Sequence, residues 1–184
     1  MSISAPTPAW VESMGGPLIV IPVSAVAAWH GCTETGVIAG DGTAPDDYDR
    51  VCEVEDRAAV IAVGGAQALV LGDEPATTCY LPEHRAFLRW HAADSEADLI
   101  AAAEAVLADP ATEWDDCGTW STDGPAVLMD SAVAGADLAA GYPDDSKPEQ
   151  APVPVSAGRW QVRAAYVETA ENWVGLVRLL PADG

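Results

Sequence analysis

Basic residues are the scarcest class in this chain. Its 184 residues include only eight lysines and arginines, with Lys147 the single lysine, against 29 acidic residues, for a net charge of −21. Such a charge repels phosphate backbones and anionic lipid surfaces, so direct binding to nucleic acid or membrane is disfavoured. A basic protein is the complementary partner, because opposite fields speed encounter. Acidity that serves solubility alone is the alternative interpretation.

Cysteine patterns of metal or disulfide proteins are also absent. No CxxC pair and no zinc-type spacing occurs, and the chain has enough apolar residues to fold without a disulfide framework. We expect buried free thiols at Cys32, Cys52, Cys79 and Cys117.

Catalytic motifs are lacking as well. There is no GxSxG or GxGxxG motif, and the three histidines lack HExxH spacing. Neither Asp47-Tyr48-Asp49 nor Asp144-Asp145 continues into a calcium-binding loop. The sequence therefore predicts no catalytic residues, no cofactor and no metal ion.

Targeting signals are missing in the same way. The opening MSISAPTPAW has no basic n-region, and no run of 18 apolar residues occurs. We expect a cytoplasmic protein with a flexible arm at 1–9 and a single domain over 10–184. Apolar residues make up 49% of the chain, enough for a real core.

Several short apolar runs predict strands. Residues 58–63 and 66–71 flank Gly64-Gly65, which is typical of a hairpin with a two-residue turn, where both turn positions need positive φ. Residues 77–81 and 86–90 would extend this hairpin into an antiparallel meander. Further strands are predicted at 18–21 between two prolines, near Val51, at 126–129, and in a C-terminal hairpin of 160–166 and 174–179.

Helical patterns are fewer. Ser95 and Asp98 form a capping-box-like start, and apolar residues at helical spacing continue to 107, so one well-defined helix is predicted over about 95–108. Ser24 is predicted to cap a short N-terminal helical turn. Loops are expected at 32–47 and, exposed, at 134–152, and residues 111–124 are interpreted as an irregular loop or a poor strand. The fold class is therefore α+β with mainly antiparallel sheet.

Acidic residues concentrate in two loop-like segments, 46–56 and 113–123, and the second also carries two tryptophans. Carboxylates steer basic partners, and tryptophan is enriched at binding hot spots. The predicted partner-binding residues are Asp46, Asp47, Asp49, Glu53, Glu55, Asp56, Glu113, Trp114, Asp115, Asp116 and Trp120.

A series of motifs runs through most of residues 10–180. They are Trp10 with GGPLIVIP (15–22), DYDRVC (47–52), ALVLGDEP (68–75), FLRW (87–90), GRWQVR (158–163) and VGLVRL (174–179). Their order resembles the immunity protein 21 family of bacterial polymorphic toxin systems. The resemblance implies a cytoplasmic antidote that binds a secreted toxin encoded beside it, and no catalytic residue is carried over. Residues 134–152 match nothing in the family's pattern.

Two other interpretations follow from the same residues. A small hydrolase would bring Cys79, His84, His91 and Asp73 into one pocket. An acidic interaction or regulatory module unrelated to toxins would share the charge but not the partner.

Overall fold

Two antiparallel sheets packed face to face form the centre of the protein, as a computed structural model describes it for residues 7–72, 74–141 and 144–182. The strands are β1 (Trp10–Val11), β2 (Leu18–Pro22), β3 (Ala59–Val63), β4 (Ala66–Leu71), β5 (Thr78–Leu81), β6 (Ala86–Ala92), β7 (Asp115–Thr122), β8 (Ala126–Asp130), β9 (Gln150–Val153), β10 (Gly158–Glu168) and β11 (Trp173–Pro181). The helices are a 3-10 helix (Val23–Ala28), α1 (Asp47–Cys52), α2 (Glu96–Ala108) and α3 (Asp137–Ala140).

Each sheet draws strands from distant parts of the chain. Sheet I has the order β1-β5-β6-β11-β10-β7, and sheet II has the order β3-β4-β2-β8-β9. Strand β7 is thus one edge of sheet I, and β3 is one edge of sheet II. The two edges lie beside each other.

The main core fills the space between the sheets, and β2 shows that sheet II is buried on both faces. Leu18 and Val20 point into this core, while Ile19 and Ile21 point to the opposite face of sheet II. All four side chains are at most 2% exposed. Alternate residues of a strand face opposite sides, so an unbroken apolar run fits a strand covered on both faces.

Helices cover the two outer faces. Leu99 and Ala103 of α2 pack on sheet I against Cys79 and Leu88. On sheet II, Trp29 and Val51 join residues of α3 and the sheet in a third cluster. The result is four layers of helix, sheet, sheet and helix. No helix within the described ranges is long and apolar enough to cross a membrane.

Most predicted elements are confirmed. The α+β class, the helix at 95–108, the N-terminal helical turn and both hairpins are present. The predicted Ser24 cap is wrong, because the 3-10 helix begins at Val23 and its N-cap residue, Pro22, makes no side-chain capping hydrogen bond. Ser95 accepts a hydrogen bond from the Asp98 N–H, as the predicted cap requires. In the Gly64-Gly65 turn, however, only Gly64 has positive φ (56°).

The predicted meander is wrong, because its two halves belong to different sheets. Strands β3 and β4 lie in sheet II, whereas β5 and β6 lie in sheet I. Buried Arg89 holds the crossing between them: its guanidinium donates to the Gly72 carbonyl at 2.7 Å and to the Glu74 carbonyl. Asp73, in the turn predicted at 72–75, lies outside the described residues.

Two local predictions are corrected. Val51 lies in α1 and not in a strand, because Asp46 and Asp49 form a reciprocal capping box that starts a helix. Residues 115–122 form strand β7, so of the two interpretations of 111–124 the loop is wrong for these residues and the strand is confirmed. The segment 134–152 contains α3 and the start of β9, while residues 142–143 of it, like 1–6 of the predicted arm and 183–184, lie outside the described residues.

Removal of the Ser95 hydroxyl should weaken α2. We expect Ser95→Ala to lower the free energy of unfolding by about 1 kcal/mol, because the Asp98 N–H loses its acceptor. Urea denaturation measures this change. Ser95→Asn keeps an acceptor at the cap and should stay close to the parent protein, and equal losses in both variants would contradict the capping role.

Candidate partner-binding cleft

The two acidic segments meet in a single cleft. It has a volume of about 640 Å³ and is lined by residues 55–60 and 115–119. The first set leads into and begins β3, and the second begins β7, so the cleft lies between the neighbouring edges of the two sheets. Glu55 and Asp56 from one side therefore share a surface with Asp115 and Asp116 from the other.

A bulge in β7 shapes one wall. The register between β7 and β10 shifts between Gln161 and Arg163, and Gly118 has a φ of +87° that favours glycine. Asp116 accepts a hydrogen bond from the Gly118 N–H at 2.9 Å and one from the Gln161 side-chain amide at 3.2 Å. The bulge thereby fixes the direction of the Asp116 carboxylate.

Arg57 is the one cation in the cleft. Its guanidinium binds the Asp115 carboxylate at 2.9 Å and lies over the Tyr166 ring at 4.4 Å from the ring centre. The Asp115 side chain is still 65% exposed, so this pair is well solvated and contributes little to stability. Arg57 ties the 55–58 segment to sheet I and leaves most of the negative charge open to solvent.

The four carboxylates differ in how they are held. The pKa of Asp116 is lowered, first by the hydrogen bond from the Gly118 N–H and then by Arg163 and Gln161. Burial acts in the opposite direction but does not outweigh them. Glu55 and Asp56 are exposed and form no ion pair among the described residues. At neutral pH the cleft therefore presents at least two carboxylates that have no intramolecular cation.

The earlier part of segment 46–56 has a structural role instead. Asp46 accepts from the N–H groups of Asp49 and Thr33, so both its oxygens are occupied. Asp47 accepts from the His30 N–H at 2.8 Å and pairs with Arg50 at 2.9 Å. These carboxylates hold α1 and its preceding loop.

Asp49 is the most buried acid in this segment, with 2% of its surface exposed. Its carboxylate accepts from the N–H groups of Val37, Ile38 and Asp46 at 2.7 to 2.9 Å. Burial alone would raise the pKa of Asp49, but these donors together lower it below the ordinary value. Asp49 thus holds the loop whose exposed Val37 and Ile38 lie at the surface.

The remaining predicted residues separate into two groups. Glu53 and Glu113 are exposed and accessible to a partner. Trp114 is half-buried and packs beside α2, whereas Trp120 is fully buried and donates its indole N–H to the Gln67 carbonyl at 3.0 Å. Trp120 belongs to the core between the sheets. The predicted set did not include Arg57, Gln161 or Gly118. Arg57 could have been found as a lone arginine next to an acidic run, and Gly118 as a glycine within a strand.

Cys79, His84 and His91 of the hydrolase hypothesis do not meet, and Asp73 lies outside the described residues. Cys79 faces α2 on the outer side of sheet I, and burial, with Glu96 adding to it, raises its pKa to about 12. The His91 ring stacks on the Trp173 ring, with 5.0 Å between their centres. Leu88 is the residue of β6 that pairs with Cys79. His91 is three residues further along β6 than Leu88 and therefore points to the opposite face of the sheet. His84 lies in the β5–β6 turn. A buried, protonated thiol without a histidine beside it is not an activated nucleophile.

A second concavity lies at the other edge of the sandwich. It is apolar, has a volume of about 490 Å³, and is walled by Tyr80, Ile100 and Pro152, with Glu83 and Glu104 at its rim. It lies near β9 and β5, away from β3 and β7. The two concavities differ in chemistry, and only the one between β3 and β7 gathers the predicted acids.

No three histidine, cysteine or carboxylate side chains are grouped to hold a metal ion in ranges 7–72, 74–141 and 144–182. The fold and the cleft define a class: a two-sheet α+β protein whose most distinctive surface is an acidic cleft between sheet edges. The family model described as immunity protein 21 matches residues 9–173, and the chain belongs to this family. The family name indicates an immunity protein against a toxin. Neither the curated proteins nor the solved structures contain a match.

The lowered pKa of Asp49 makes part of the stability dependent on pH. A group with a lowered folded pKa stabilises the protein above its unfolded pKa of roughly 3.9, and this contribution disappears as pH falls through the folded pKa. We expect Asp49→Asn to be less stable at pH 7, with the difference shrinking below about pH 4. Guanidinium denaturation at pH 7 and pH 3 measures it, and a constant difference would contradict the ionic role.

Proposed function

We propose that this protein binds its cognate toxin in a stoichiometric complex and blocks a basic site on it with the acidic cleft. The observation that carries the proposal is the convergence of Glu55, Asp56, Asp115 and Asp116 on one surface. Family membership supports a toxin as the partner. The charge of −21 supports a basic surface on that toxin.

The chemistry of the cleft favours a partner that works on phosphates. An enzyme that acts on nucleic acid concentrates lysine and arginine at its substrate site, because these residues neutralise the phosphate backbone. A surface with unpaired carboxylates can occupy such a site in place of the substrate. A nuclease-type toxin is therefore the partner that we propose. Binding inside the producing cell would place the protein in the cytoplasm.

Preorganisation supports affinity at this surface. Asp116 is oriented by Gly118 and Gln161, and Asp115 by Arg57, so these carboxylates lose little freedom on binding. Of the two predicted tryptophan anchors, Trp114 alone has surface that a partner can contact, because Trp120 is fully buried. We propose Trp114 as the aromatic anchor beside the charged cleft.

Co-expression with the product of the adjacent toxin gene tests the proposal. The expected result is a one-to-one complex in which the toxin's activity is lost. A toxin that stays fully active in the presence of excess purified protein, with no complex detected, would overturn it. The same experiment distinguishes the acidic module unrelated to toxins, which predicts no such complex.

Neutralisation of Glu55 and Asp56 should slow association with the toxin. We expect Glu55→Gln with Asp56→Asn to reduce the association rate about tenfold at low salt and to flatten its salt dependence. The matched control is Glu83→Gln with Glu104→Gln, which removes the same charge at the opposite edge of the sandwich. Surface plasmon resonance at several salt concentrations compares them, and equal losses in both pairs would mean that net charge, and not the cleft, directs binding.

A further inference from the structure

Two arginines lie directly opposite each other on the outer face of sheet I. Arg163 of β10 pairs with Arg178 of β11 in the strand register. Their neighbours Val162 and Val177 point into the core between the sheets, so both arginines point to the other face. Like charges at directly opposed positions destabilise a sheet, which makes this pair costly in an isolated protein.

No carboxylate among the described residues forms an ion pair with either arginine. The Nε atoms of Arg163 and Arg178 are buried and have no hydrogen-bond partner in the described structure. The two ion pairs found among the described residues are formed by Arg50 and Arg57. A buried donor that has lost water and gained no acceptor carries a desolvation penalty. Both guanidinium groups therefore have unsatisfied capacity in the same place.

A small cavity lies between these side chains. It has a volume of about 110 Å³ and is lined by Trp114, Arg163, Arg178 and Leu180. That volume suits one small oxyanion and is well below the roughly 300–1,000 Å³ of a typical small-molecule pocket. Trp114 and Leu180 contribute apolar surface beside the two guanidinium groups.

We propose that Arg163 and Arg178 form a binding site for one carboxylate group. The planar guanidinium fork matches a carboxylate with two parallel hydrogen bonds, and two forks facing one cavity can share its two oxygens. The group can come from a small free acid or from an aspartate or glutamate of a bound partner. In the second case the inference rests on the proposed function.

The site borders the acidic cleft. Asp116, which lines the cleft, is close enough to Arg163 for the arginine to lower its pKa, yet it forms no ion pair with it in the described structure. Its oxygens are directed to Gly118 and Gln161 instead. A partner would therefore meet carboxylates and, next to them, an arginine pair, so the surface selects a matching pattern of charges and not only a basic one.

Arginine Nε–H signals in NMR spectra test the site on the isolated protein. Titration with sodium acetate at constant ionic strength, balanced with sodium chloride, should shift the Arg163 and Arg178 signals to saturation. Arg159, which is exposed on β10, is the internal reference and should not respond. Signals that change linearly, or equally at all three arginines, would overturn the proposal.

Two substitutions separate binding from folding. Arg178→Gln should weaken acetate binding at least tenfold while leaving the melting temperature equal or higher, because it removes the repulsion between the pair. Arg178→Lys keeps the charge but loses the fork, and should also weaken binding strongly. Unchanged acetate affinity in both variants would contradict a site built on the pair.

A titration of the toxin complex identifies the source of the carboxylate. Loss of the acetate response in the complex assigns the site to a partner side chain, and a retained response assigns it to a free acid. Both results support the site. If acetate does not bind the isolated protein, the carboxylate site is contradicted, but the complex with the toxin can still form. The failure of the carboxylate site and the failure of the proposed toxin binding are therefore distinguishable.

Discussion

The contact between the inner faces of the two sheets is the constraint on which the other features depend. It brings strands from the beginning, middle and end of the chain together, and it buries sheet II on both faces once the helices are added. It also sets the edges β3 and β7 side by side. The acidic cleft is a consequence of that placement, because its two walls are 55 or more residues apart in sequence.

The carboxylates of this protein fall into two groups, those that bind the backbone and those that are exposed to solvent. Asp46 and Asp49 accept hydrogen bonds from backbone N–H groups around α1, so their carboxylate oxygens are occupied within the fold. Glu55 and Asp56 have no intramolecular cation in the described structure and face solvent. The high net charge is therefore not a uniform coating. Charge that is held by the backbone organises a loop, and charge that is left open near an edge is the charge that the proposed function uses to direct encounter with a partner.

How much could be predicted from sequence depended on the range of the interactions. The helix at 95–108 and the Gly64-Gly65 hairpin follow from neighbours in the chain, and both were predictable. The assignment of β5 to the other sheet was not, because it depends on Arg89 reaching carbonyls 15 and 17 residues away. Strand β7 was predicted only as an alternative to a loop, because its acidic start and the Gly118 bulge hide the alternation that marks a strand.

The same logic explains the candidate site. Composition indicated which two segments were acidic, but only the sandwich shows that their ends, and not their full lengths, share a surface. Trp120 was predicted as an anchor because it lies among polar residues, yet alternation along β7 turns it into the core. The family relation came from the motif order and is shown by the match over residues 9–173.

The strand order has a consequence for the timing of folding. Among the described strands, β7 has β10 as its one pairing partner in sheet I, and β10 is paired along its length with β11, which ends at Pro181. One wall of the cleft therefore cannot assemble until almost the whole chain is available. Topologies dominated by such distant pairings fold slowly compared with helical bundles. In a newly made chain, the cleft is therefore among the last surfaces to form.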